Sequence, residues 1–208
     1  MNLFSHRRSD VFLPGREEPV LRMPFFHRIF GDPLDREFPR AEVAYLAAGC
    51  FWGVEKLLWQ QPGVLSTAAG YMGGKTPNPT YKEVCTGLTG HAETVRVVFD
   101  PATTSFERLI AVFFENHDPT QGDRQGNDVG SQYRSAIFVG SPGQREVAET
   151  MRERFQRDLA SAGYGAITTD IEDAGPWYFA EDYHQQYLDA NPNGYCPVHA
   201  TGVRCSAV

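Results

Sequence analysis

The chain predicts an α+β fold, a sheet with helices packed on it. Three observations point there. Short apolar runs with strand periodicity are separated by stretches of helical periodicity. The two kinds alternate irregularly, and no internal repeat appears. At 208 residues the chain is long enough for a sizeable core, and one domain is the default.

Residues 1–40 hold Pro14, Pro24, Pro33 and Pro39 among scattered charges, without a lasting period. They predict an extended arm draped on a single domain over 41–208. Within that domain the run 42–48 predicts a buried strand, and 53–60 a helix stopped by Pro62-Gly63. Residues 64–72 predict a second strand and 73–79, rich in Gly and Pro, a loop. A short helix is expected over 81–85. Residues 91–99 place Val95, Val97 and Phe99 on one face of a strand.

Thr104 with Glu107 predicts a capping box ahead of a helix carrying Phe106, Leu109, Ile110 and Phe113 on one side. The polar stretch 121–130 predicts a loop, and 133–139 a strand. Ser141-Pro142 opens a long helix, with Gln144 completing its box and Gly163 ending it. A strand over 166–172 and a last helix over 176–189 follow. From Asn191 onward the composition predicts coil, so the tail from about 190 to 208 should lack regular structure.

The bulk numbers exclude several function classes. The net charge of −7, with no basic stripe, argues against nucleic acid as a partner. No run approaches the roughly 18 apolar residues of a membrane helix, so no membrane association is expected. The segment MNLFSHRRSD lacks the apolar stretch of a secretory signal. A soluble cytoplasmic protein is the expectation. Four cysteines, Cys50, Cys85, Cys196 and Cys205, are too few for a disulfide-stapled domain of this length.

The most informative residues are Gly49-Cys50-Phe51-Trp52-Gly53. They put a thiol where a strand gives way to a helix. Unpaired N–H groups and the positive end of the helix dipole there favour the thiolate, and should lower its pKa from about 8.5. Two adjacent aromatics can wall a small apolar pocket beside it. The rival reading is a structural thiol on a packed strand–helix corner. Glu93 shares the strand parity of His91 and Val95. Buried there, its carboxyl would hold a proton to donate; exposed, it would be an ordinary strand residue. Tyr81 follows the Pro-rich loop, and Tyr133 begins a strand just after the loop with Asp128. Either phenol could donate a hydrogen bond to a ligand oxygen, or simply pack.

Cys196 and Cys205 lie in predicted coil. Such thiols could capture a sulfenic acid formed on Cys50. A zinc site from Cys196, His199 and Cys205, with His184 or Cys85 as fourth ligand, is the alternative, making the chain a redox-sensing module without turnover. A third reading is a hydrolase pairing Cys50 with His91 or His184.

At these residues the chain resembles the A-type peptide methionine sulfoxide reductases. The matching stretches are 49–53, 70–74, 79–87, 90–94, 115–119, 126–136 and 180–188. The resemblance implies a two-layer α/β sandwich with a ferredoxin-like mixed sheet and a long coil tail. It implies that Cys50 attacks the sulfoxide sulfur, that Glu93 protonates the oxygen, and that Tyr81 and Tyr133 hydrogen-bond it. Phe51 and Trp52 would enclose the methyl group, and Asp128 would help to hold the substrate backbone and local waters. It further implies a Cys50–Cys196 disulfide, then a Cys196–Cys205 disulfide reduced by thioredoxin. Cys85 would have no catalytic role. Oxidised proteins and free methionine sulfoxide would be the substrates, with selectivity for the S epimer. No cofactor is expected beyond thioredoxin or dithiothreitol as external reductant, and a monomer is expected.

Overall fold

The computed structural model describes residues 11–195 and 199–206. Among them the strands are β1 (Glu42–Ala48), β2 (Val64–Met72), β3 (Ala92–Phe99), β4 (Arg124–Gln125), β5 (Asp128–Val129), β6 (Ser135–Val139), β7 (Asp170–Asp173) and β8 (Tyr178–Phe179). The α-helices are α1 (Phe51–Trp59), α2 (Tyr81–Val84), α3 (Phe106–Glu115), α4 (Pro142–Ser161) and α5 (Tyr187–Ala190). Six strands make one mixed sheet in the order β7-β6-β1-β3-β2-β8. All neighbours in it are antiparallel except β6 and β7. The inner order β6-β1-β3-β2, with α1 joining β1 to β2 and α3 lying between β3 and β6, is the ferredoxin-like arrangement.

Side-chain alternation divides the sheet into two faces. Ala44, Leu46, Val95, Val97, Phe99, Ile137 and Val139 point to one face, where Phe51, Leu58, Leu109, Phe113, Met151 and Phe155 of the three long helices bury them. The other face carries Ala47, Met72, Ala92, Ala136 and Phe138, covered in part by Trp177. The arm covers the rest, with Leu21 and Leu34 against Ala68. It is stitched down by Leu13 N–H to the Leu88 carbonyl at 3.1 Å and by His27 Nε2 to Thr67 Oγ1 at 3.0 Å.

Several boundaries differ from the sequence expectation. Helix α1 starts at Phe51, not at residue 53. The cap of α3 is Ser105, whose hydroxyl accepts from Arg108 N–H, and not Thr104. Thr104 belongs to a turn closed on Asp100, and Glu107 pairs with Arg154 at 3.3 Å. In α4 Ser141 accepts from Gln144 N–H as expected, but the Gln144 carboxamide accepts from Gly140 N–H and donates to the Val43 carbonyl. The stretch 121–130 contains the β4–β5 hairpin, turning at Gly126 and Asn127. Tyr133 lies in a 3₁₀ turn, Ser131–Tyr133, ahead of β6. Strand β7 begins at Asp170 and not at 166.

The largest correction is the helix expected over 176–189. Tyr178 and Phe179 pair with Tyr71 and Gly70 as a sheet-edge strand, a 3₁₀ turn spans Asp182–His184, and only Tyr187–Ala190 is α-helical. Gly70 permits the edge strand: any Cβ there would lie 2.4 Å from the Tyr178 carbonyl oxygen. Gln186 takes left-handed φ and ψ of 48° and 42°, which breaks the helix.

Candidate active site

Cys50 is the N-cap residue of α1, with φ of −55° and ψ of 119° and 9% exposure. Gly49 before it has φ of +88°, and a Cβ there would meet Gln125 Cβ at 2.6 Å. The glycine therefore allows both the corner and the close approach of the hairpin. Gln125 is itself fixed, accepting from Asp118 N–H and donating to the Asp118 carbonyl.

The expectation of a lowered Cys50 pKa is overturned. The Trp52 and Gly53 N–H groups face the sulfur and pull its pKa down, although the thiol makes no side-chain cap hydrogen bond to the helix. Burial pushes it up by more, and the neighbouring Glu93 carboxyl adds to that, so the resting group is a thiol.

Glu93, on β3, is 1% exposed, and its parity with Val95 and Val97 turns it into the helix-covered layer. Its Oε2 accepts from Phe51 N–H at 3.0 Å. Burial raises its pKa to about 8, opposed by that bond and reinforced by Asp128. The Tyr81 and Tyr133 hydroxyls are hydrogen-bonded to one another, both near Glu93. Burial pushes both phenols upward, Tyr133 to about 12. Asp128, on β5, is close enough to Cys50, Glu93 and Tyr133 to act on all three. Its Oδ1 accepts from Tyr195 at 3.2 Å, while Oδ2 is buried without a partner among the described residues.

Phe51 is buried and Trp52 half-buried, their ring centroids 6.5 Å apart. Trp52 stacks on Tyr187, and its indole N–H donates to His184. The structure therefore brings Cys50, Phe51, Trp52, Tyr81, Glu93, Asp128 and Tyr133 into one neighbourhood. Cys196 lies outside the described residues. Cys205 is held against α3 and α4, its N–H donating to Glu115 and the next residue bound to Asp158.

His91 is not a base for Cys50. Its Nδ1 accepts from Gly74 N–H and its Nε2 meets the Thr76 carbonyl at 2.7 Å, so it braces the glycine loop. Among the described residues no group of three or more His, Cys, Asp or Glu is placed to hold a metal. Sequence reasoning missed the parts played by His184, Tyr187 and Tyr195. The signal was present, since His184 and Tyr187 stand in the 180–188 stretch that carried the resemblance.

A ferredoxin-like sheet with a thiol at a helix N-cap, a buried carboxyl and paired phenols is equipped as a thiol oxidoreductase. The profile described as peptide methionine sulfoxide reductase matches residues 42–207, and the chain belongs to that family. It is 59% identical to peptide methionine sulfoxide reductase MsrA of Rhodospirillum centenum, over 99% of this chain and 96% of that one. It is 58% identical to the Corynebacterium kroppenstedtii MsrA, over 95% and 92%. Methionine sulfoxide reductase A of Corynebacterium diphtheriae superposes with a TM-score of 0.84 at 46% identity, covering 100% of both chains. Reduced Mxr1 of Saccharomyces cerevisiae gives 0.74 at 35%, covering 81% and 96%. No helix among the described residues is long and apolar enough to cross a membrane.

Proposed function

We propose that this chain reduces the S epimer of methionine sulfoxide, free or in proteins, with Cys50 as nucleophile and Glu93 as acid. One observation carries the reading: a buried, proton-retaining carboxyl is bonded to the first N–H of α1, next to the thiol at that helix's N-cap. Glu93 protonates the sulfoxide oxygen, which makes the sulfur electrophilic. The Cys50 sulfur attacks it, and the thiol proton returns to Glu93. Transfer of the hydroxyl to Cys50 then releases methionine and leaves a sulfenic acid, so the oxygen gained by Cys50 is the one lost by the substrate.

Tyr81 and Tyr133 are suited to orient the oxygen, Phe51 and Trp52 to enclose the methyl group, and Asp128 to receive a substrate N–H. Capture of the sulfenic acid by Cys196 forms a disulfide and expels water. Exchange with Cys205 frees Cys50, and an external dithiol, thioredoxin in this reading, reduces the Cys196–Cys205 pair.

Turnover of resolved S and R epimers with dithiothreitol tests the reading. Methionine should form from the S epimer alone. Equal rates on both epimers, or hydrolysis of an ester without any need for a thiol, would overturn it.

A further inference from the structure

The Trp52 indole is held from two sides by one short segment. Tyr187 stacks on it with centroids 3.9 Å apart and planes 18° apart. His184 Nδ1 accepts its Nε1–H at 3.0 Å. These contacts fix different things. Stacking sets the plane of the ring but leaves it free to turn within that plane. A hydrogen bond to the one polar atom of the ring stops the turning.

His184 is suited to the task. An indole N–H can only donate, so Nδ1 must be unprotonated and the ring proton sits on Nε2. Burial lowers the His184 pKa to about 4, which keeps Nδ1 an acceptor at neutral pH. Nε2 lies 3.9 Å from Glu181 Oε2, beyond hydrogen-bond reach. His184 is 1% exposed, and its centroid stands 5.0 Å from Phe51 and 4.7 Å from Tyr81.

The ring cannot drift. Gln185 next to it donates to the Ala69 and Ala180 carbonyls and accepts from Ala69 N–H. Gln186 is bound by main chain and side chain to Glu55 inside α1, the helix that bears Trp52.

We propose that His184 is the positioning residue that sets the depth of the S-alkyl pocket, and so discriminates S-methyl from larger S-alkyl sulfoxides through the orientation of Trp52. This rests on the reading of Trp52 as the wall against the methyl group. A wall free to turn would admit an ethyl group and hold a methyl less well. One methylene in an apolar pocket is typically worth about 10-fold or more in discrimination.

The test compares kcat/KM for the S epimers of methionine sulfoxide and ethionine sulfoxide. His184→Phe keeps a ring and removes the acceptor, and should lower the methyl-to-ethyl ratio about 10-fold. His184→Asn retains an acceptor near Nδ1 and should stay within about 2-fold of wild type, keeping the hydrogen-bonded ¹H–¹⁵N shift of the Trp52 indole. Benzothienylalanine at position 52 supplies the ring without the N–H. It should behave like His184→Phe and stands in for it if that variant does not fold. An unchanged ratio with the isostere, or an equal fall in His184→Asn and His184→Phe, overturns the inference. Trp52→Ala separates the two levels: if it leaves the ratio unchanged, Trp52 is not the wall, whereas a changed ratio there beside an unchanged one with the isostere removes only the role of His184.

Discussion

Phe51 N–H donates to Glu93 Oε2 at 3.0 Å, while the N–H groups of Trp52 and Gly53 face the Cys50 sulfur. The N–H groups that a helix start leaves without intrahelical partners are thus shared between the acid and the nucleophile. The nucleophile's own helix fixes the carboxyl beside it, although 42 residues separate Phe51 from Glu93. That shared turn has consequences for pH.

Glu93 is raised to about 8, so its proton-donating form predominates at neutral pH. Single-turnover methionine release should fall as pH rises through about 8. Glu93→Gln should slow that step by about 10²–10⁴-fold. The stability sign follows from the same shift. The native state keeps a proton that the unfolded chain gives up near pH 4.3, so the contribution is full below that and lost as pH rises through about 8. Denaturant unfolding at several pH values should show this slope in wild type and a flatter one in Glu93→Gln. A wild-type rate that stays level to pH 9 would exclude Glu93 as the acid.

Cys50→Ser should abolish reduction with any thiol, by several orders of magnitude. The fold should survive, because a serine at an N-cap is well tolerated. Residual turnover above about 1% of wild type would place the nucleophile elsewhere.

Glu55 is fully buried, and it accepts from Thr67 Oγ1 at 3.1 Å, Gln186 N–H at 2.8 Å and Gln186 Nε2 at 2.7 Å. Glu55→Ala strips three buried donors of their acceptor and should cost about 2–4 kcal/mol, read from the denaturation midpoint. A loss under about 0.5 kcal/mol would mean that water replaces the carboxyl without penalty.

The same network explains what the sequence could reveal. Strands β1 and β2 match the expected spans, and β3 and α4 nearly do, because each is specified by its own periodicity and caps. The stretch 176–189 misleads for a physical reason. Trp177, Ala180, His184 and Leu188 recur at helical spacing, yet the backbone there answers to partners far along the chain. Gln185 binds a residue 116 positions away, and Gln186 one 131 positions away. The Cys50 pKa fails likewise. The helix start was legible, whereas the burial and the Glu93 charge that outweigh it come from the tertiary fold.

The tail separates chemistry from recycling, and Cys205 is more firmly held than a coil suggests. Its N–H donates to Glu115 Oε1 at 2.9 Å, Arg204 pairs with Glu115 Oε2 at 2.9 Å, and Ser206 N–H binds Asp158 at 3.0 Å. Burial, then Glu115 and Asp158, push its pKa up to about 12. Exchange requires the thiolate, so Cys205 is a poor attacker while docked. Cys205→Ser should still release one methionine and form one Cys50–Cys196 disulfide. It should keep much of its activity with dithiothreitol and lose most of it with thioredoxin. Cys196→Ser should instead accumulate a Cys50 sulfenic acid that dimedone traps. Glu115→Gln removes one of the two opposing charges and loosens the Arg204 contact. It should speed Cys196–Cys205 formation at neutral pH while leaving the methionine burst unchanged. Mass mapping after one equivalent of sulfoxide, quenched at intervals, follows each species. A Cys50–Cys85 disulfide in that map, or a relay no faster in Glu115→Gln, would show that the docked tail does not govern the exchange.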